Sequence, residues 1–128
     1  MIVDAMNGTG GPDLRAVYQK IAEAAGREDF FKVLHEQADS EFSEVNGEPN
    51  TMKEKSRRDA QAEVEALTGN GFAVLVDGDM DRFGTIDSNG EALSANDMVA
   101  LLTFFLRREI GLSGAVGKTV ATTNFVNA

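Results

Sequence analysis

Cysteine is absent from the 128 residues, and histidine occurs once, as His35. The first absence excludes disulfides and thiolate metal sites and fits an intracellular setting. Any metal would therefore be held by oxygen or by that single imidazole. Basic residues are also scarce, 12 lysines and arginines against 21 aspartates and glutamates, for a formal charge of -9. With no basic stripe to set against that charge, nucleic acid and anionic membrane are poor partners, although one phosphate held locally is compatible with it. No apolar run reaches the ~18 residues that a bilayer requires, and the N-terminal stretch lacks the basic segment and hydrophobic core of an export signal. A soluble, cytoplasmic protein is expected. Internal repeats, low-complexity tracts and a clear linker are missing too, and at 42% hydrophobic residues the chain has enough apolar material for a core.

The elements that are present alternate. A short apolar run, "MIVDAM", precedes the turn-forming "NGTGGPD", and Pro12 and Asp13 suit the first turn of a helix. Leu14, Val17, Tyr18 and Ile21, followed by Ala24 and Ala25, recur at helical spacing up to Gly26. "FFKVLHE" reads as a second strand, and the polar connection "QADSEFSEVNGEPN" is long enough to carry a functional role. Thr51 and Glu54 form the pattern of a capping box, opening a charged helix that ends near Gly69, with Met52, Ala60, Val64 and Leu67 on its thin apolar face. "GFAVLVD" is nearly continuous in apolar residues, as expected of a central strand covered on both faces. "FGTIDSNGEAL" reads as a strand entering a turn at Ser88, Asn89 and Gly90. Ser94 is placed to cap a third helix whose Met98, Leu101, Leu102 and Phe105 would face a core. Arg107 and Arg108 fall in its last turn, and "AVGKTVATTNFV" would form a final strand. This order predicts an α/β layered fold, a mostly parallel or mixed sheet flanked by helices.

Between the two consecutive strands lies "VLVDGDMDRFG". Alternate side chains of extended backbone point the same way, so a chain curling through Asp77, Asp79 and Asp81 can aim three carboxylates at one point. Their mutual repulsion calls for a proton or a cation. Hard oxygen ligands select Mg2+, Ca2+ or Mn2+, and a compact trio leaving room for water or phosphate suits Mg2+ best. A solvated acidic turn is the bland alternative. An EF-hand is rejected, because its loop needs glycine at the sixth position and glutamate at the twelfth, where Arg82 and Ser88 stand. A haloacid-dehalogenase-like phosphatase, whose first motif is similar, would make Asp77 a phosphorylated nucleophile and Asp79 its acid/base, but Asp81 replaces the Thr or Val of that motif.

"DGDMDR" resembles more closely the D-G-D-x-D-R metal loop of the α-D-phosphohexomutase superfamily, the phosphoglucomutases and phosphomannomutases. "IVDAMNGTGG" looks like the opening strand and glycine turn of that family's second domain, "NGEPN" like the segment before its next helix, and "DRFGTIDSNGEAL" like the strand and turn after the metal loop. Residues 1–91 would then be a second-domain-like, metal-binding unit, and residues 92–128 the incomplete beginning of a third-domain-like unit, either separate or packed with it as one globule. The resemblance implies a parent enzyme, a Mg2+-dependent (or Mn2+-dependent) isomerase of carbohydrate metabolism. In that family a phosphoserine passes its phosphoryl group to a hexose phosphate, and the group returns from the sugar's other end. Asp77, Asp79 and Asp81 become the metal ligands, and Arg82 sits beside the phosphoryl group, where a salt bridge to a loop aspartate is its plainer role. Lys118 is the one local candidate for a basic residue that some members place on the strand similar to "GKTVATT", an ordinary exposed lysine being the commoner case.

The departures are specific. The sequence has no Ser-His-Asn-Pro loop, no glutamate-rich sugar-recognition loop and no fourth-domain phosphate loop, so it contains no nucleophile. The sugar phosphate and the remaining mutase domains are expected as partners only of a longer protein, and this chain alone is expected to be inactive. A stand-alone, non-enzymatic metal-binding module is the alternative, with self-association through an exposed edge or apolar patch as a further expectation. "GTGG" reads as a structural turn, since it lacks dinucleotide and P-loop spacing, His35 as a structural residue, and "KEKSRRDAQAEVE" as a solvated helix surface.

Overall fold

A computed structural model describes residues 1–27, 29–68 and 71–124. The chain divides into two compact units, Met1–Ala92 and Leu93–Ala128.

The first unit is an α/β layer built on β1 (Ile2–Asp4), α1 (Gly11–Ala25), β2 (Lys32–Leu34), α2 (Glu54–Ala66), β3 (Ala73–Val76) and β4 (Phe83–Ile86), with one 3-10 turn at Ser43–Val45; the unit ends at Ala92, the first residue of β5 (Ala92–Leu93). The sheet order is β2-β1-β3-β4-β5. β1 lies parallel to β2 and to β3, pairing Val3 with Val33 on one side and with Val74 on the other, and β4 runs antiparallel to β3. Parallel neighbours need a crossover, which α1 and α2 supply, whereas β3 and β4 need only the six residues of the acidic loop between them. The fold class expected from the alternating elements is thus observed.

Pro12 stands in the first turn of α1, and Gly26 ends that helix in the left-handed region at φ +64°, closing it with a hydrogen bond from its N–H to the Glu23 carbonyl. The main core lies on one face of the sheet, where Ile2, Met6, Val45, Ala60, Val64, Ala73, Leu75 and Ile86 are buried together with Leu34 and Phe42 packed against them. α2 reaches this core through Ser56, Ala60 and Val64, each one turn from the next. Burial of β3 is unequal: Ala73 and Leu75 are fully enclosed, while Val74 on the opposite face is half-buried.

Several expectations need correction. α2 starts at Glu54 with Lys53 as its N-cap and no side-chain cap. Thr51 is instead buried against β4, where a methyl group on Gly84 would lie 2.8 Å from its Cβ, and Asn50 Oδ1 takes the Met52 N–H at 3.0 Å to make the turn. Met52 and Leu67 are exposed, as are Val17 and Ile21 of α1, which buries Gly11 and Ala22. Of the apolar face expected for α2, only Ala60 and Val64 are buried.

The second unit holds α3 (Ala95–Arg108). Ser94 caps it through a capping box with Asp97, and Arg107 and Arg108 complement its C-terminal end. None of its residues is buried, so the expected core face of Met98, Leu101, Leu102 and Phe105 is not enclosed. Residues 115–124 form turns and irregular backbone in place of the expected final strand, whose Phe125 and Val126 lie outside the described residues.

Candidate metal site

The acidic loop follows the middle strand of the sheet. Its two ends are tied together: the Asp77 N–H donates to the Arg82 carbonyl at 3.3 Å, and the Arg82 N–H donates to Asp77 Oδ1 at 3.1 Å. Met80, whose N–H reaches the Asp77 carbonyl at 3.1 Å, takes a left-handed φ of +61° that tightens the curl. The curl brings one carboxylate oxygen from each of Asp77, Asp79 and Asp81 within 4.8 Å of one another. Asp79 and Asp81 are exposed, whereas Asp77 is only 2% exposed. Its Oδ1 is used by the loop backbone; its Oδ2 is buried without a hydrogen bond.

Arg82 is the local counter-ion. Its Nε lies 2.7 Å from Asp77 Oδ2, an ion pair whose angle is not that of a hydrogen bond, and 3.0 Å from Asp81 Oδ1, to which it does donate. The guanidinium holds the Asp81 carboxyl below the usual carboxylate range, and Asp81 in turn, with Asp77, raises the pKa of Arg82. A buried carboxylate whose Oδ2 has an ion pair and no hydrogen bond, flanked by two exposed carboxylates, is an all-oxygen donor set that could hold a hard divalent cation.

Two other segments support the loop. Because β1 and β3 are parallel neighbours, the glycine turn after β1 and the acidic loop after β3 leave the sheet at the same end, and the Thr9 N–H donates to the Gly78 carbonyl at 3.0 Å. Such an end, between crossovers that run in opposite directions, is where open α/β sheets bind ligands. From the other side, Phe42 and Pro49 of the long connection flank Gly78, each 3.3 Å from where its methyl group would stand. Neither Thr9 nor Phe42 was signalled by the sequence, because each acts only through a contact with a residue far away in the chain.

The remaining candidates are placed elsewhere. Lys118 belongs to the second unit, and its ammonium donates to Asn124 Oδ1 at 3.0 Å and to the Thr123 carbonyl at 3.4 Å, both in its own segment. His35 sits at the end of β2 with a left-handed φ of +44°; its Nδ1 is 2.8 Å from Oδ1 of the fully buried Asp4 and its Nε2 is 3.4 Å from Asp59 Oδ2. The Asp4 hydrogen bond raises the His35 pKa against the opposing effect of burial. The imidazole thus bridges β1 and α2, away from the acidic loop. No helix among the described residues is long and apolar enough to cross a membrane.

An α/β domain carrying an oxygen-lined loop at the end of its central strand is the class that the fold and site define. Residues 1–90 match the family profile described as "Phosphoglucomutase/phosphomannomutase, alpha/beta/alpha domain II", and the chain belongs to that family. It is 32% identical over 129 residues to a phosphoglucomutase/phosphomannomutase of Thermococcus kodakarensis, aligning 99% of this chain with 25% of that protein. The chain thus spans about a quarter of that relative's length. Among solved structures, a phosphoglucomutase/phosphomannomutase family protein from Burkholderia thailandensis superposes with a TM-score of 0.64 at 25% identity, covering 85% of this chain and 22% of the other. A candidate phosphomannomutase from Thermus thermophilus gives 0.66 at 26% identity, covering 84% and 23%. Family membership sets aside the phosphatase reading of Asp77.

Proposed function

We propose that this chain is the metal-holding part of a Mg2+-dependent phosphohexomutase, corresponding to the family's second domain with the beginning of the third from about residue 92. Asp77, Asp79 and Asp81 supply the protein's ligands, and Mn2+ can replace Mg2+. The observation that carries the reading is the convergence of one carboxylate oxygen from each of Asp77, Asp79 and Asp81 within 4.8 Å, with Asp77 buried and its Oδ2 balanced only by the Arg82 guanidinium. A bound cation supplies charge stabilisation for a phosphoryl group in flight. Arg82 has the complementary task. Released from Asp77, its guanidinium can donate paired hydrogen bonds to phosphate oxygens, which a carboxylate-lined loop by itself would repel.

The nucleophilic phosphoserine and the sugar-recognising groups are absent from this sequence, so the partners of the loop are the other mutase domains and, through them, a hexose phosphate. The chain by itself binds a divalent cation weakly and does not turn over sugar phosphate. The exposed apolar residues of α3 favour self-association at high concentration, and a strictly monomeric species in sedimentation would count against that.

Calorimetric titration of this chain with Mg2+ or Mn2+ tests the ligand assignment: one site is expected, lost in Asp79→Asn. Binding that is unchanged in Asp79→Asn, or mutase turnover by this chain that survives the same substitution, would sink it.

A further inference from the structure

The glycine turn reads in the sequence as a device for entering α1. In the structure its middle residues, Gly8, Thr9 and Gly10, contact the acidic loop about 70 residues away in the chain, while Asn7 and Gly11 on either side contact residues 35–44. The Gly78 carbonyl accepts from the Thr9 N–H at 3.0 Å and lies 3.3 Å from Thr9 Oγ1. Gly8 and Gly78 meet backbone to backbone: a methyl group on Gly8 would lie 2.7 Å from the Gly78 oxygen and 2.8 Å from its Cα, closer than a real Cβ tolerates. At Gly10 the added methyl would fall on the Met80 side chain, 1.7 Å from Sδ and 2.5 Å from Cγ.

We infer that Gly8, Thr9 and Gly10 are positioning residues for the acidic loop: the turn fixes Gly78 and seats Met80, and through them sets the carboxylates of Asp77, Asp79 and Asp81. Gly78 and Met80 alternate in the chain with the three aspartates, so a displacement of either moves two carboxylates apart. The two contacts differ in kind. The Gly8 contact is rigid, because both sides are backbone and Phe42 and Pro49 close the space behind Gly78. The Gly10 contact is a matched pair, in which a bulky residue on the loop is accommodated because its partner has no side chain.

The inference rests on the metal reading above, so its test uses one readout that needs metal and one that does not. Mn2+ affinity, and amide hydrogen exchange of residues 77–82 without metal, are compared for the wild-type chain, Gly8→Ala, Gly10→Ala and the double variant Gly10→Ala/Met80→Gly, all checked by circular dichroism to be folded. Gly8→Ala is expected to weaken Mn2+ binding about tenfold or more, the usual range for losing a group that orients metal ligands, and to speed exchange across the loop. Gly10→Ala should show a smaller loss in both, and the double variant should recover it, since glycine accepts the left-handed φ of +61° at position 80. Recovery through residue 80 separates positioning from general destabilisation. If both single variants keep wild-type affinity and wild-type exchange, or if Gly10→Ala is impaired and the double variant recovers nothing, the inference is overturned. Should Gly8→Ala fail to fold, the Gly10 and Met80 pair decides by the same criteria. If the wild-type chain binds no Mn2+, the metal reading fails by itself, and exchange then decides: faster exchange in the single variants supports the positioning role, unchanged exchange overturns it.

Discussion

β3 and α3 are both rich in apolar residues, but Ala73 and Leu75 of β3 are fully buried while α3, with Leu101, Leu102, Phe104, Phe105 and Leu106 among its residues, buries none of them. What differs is the presence of a complementary surface. β3 has a strand hydrogen-bonded on each side and α2 against one face, so burial follows from neighbours that the same unit supplies. α3 has its own cap, its own charge complement at the C-terminus and ample hydrophobicity, and the described residues of its unit leave it without a buried side chain. Local signals make a helix; a core needs a second layer.

Substitutions at the two places should separate most widely in stability. Leu75→Ala leaves a hole in a filled core and is expected to cost about 2–5 kcal/mol in denaturant unfolding. Phe105→Ala, at a side chain 48% exposed, should stay within about 0.5 kcal/mol. Equal losses at the two positions would break the contrast and mean that α3 is covered in solution.

Next in size is the effect of the α3 cap. Ser94→Ala removes the oxygen that accepts the Asp97 N–H at 3.1 Å and should lower helix stability by about 1 kcal/mol, seen as lost helical ellipticity with the sheet retained. A loss of the sheet signal in step would show that the two units unfold together.

The smallest expected effect distinguishes the first unit by pH. The His35 pKa is raised in the folded state, chiefly by the Asp4 hydrogen bond, with Glu44 and Asp59 contributing. Its stabilisation is therefore fully present below the unfolded value of 6.5 and is lost as pH rises through the folded value. Thermal melts followed by the sheet signal should decline over that range, and His35→Gln should flatten the decline; a wild-type profile that rises instead would contradict the Asp4 pairing.

Legibility followed the range of the interaction. The acidic loop, the Gly26 end of α1, the Ser94 cap and the turn through Gly90 depend on residues a few places apart, and each could be read from spacing. Thr51 misled because its cap pattern competes with burial beneath β4, and Thr9 and Phe42 were silent because each acts on Gly78. Lys118 stands on an expected strand that the described residues do not form.

By itself the sequence determined the alternation of strands and helices, the excess of negative charge and a run of three aspartates that could offer oxygens to a hard cation. Only the tertiary structure decided that Asp77 is buried with one oxygen lacking a hydrogen bond, that Arg82 lies across the carboxylates, and that the glycine turn presses on the acidic loop. Parallel pairing of β1 with β3 brings residues 8–10 and 78–80 to the same end of the sheet, and contacts across that distance leave no periodic trace in a chain read in order.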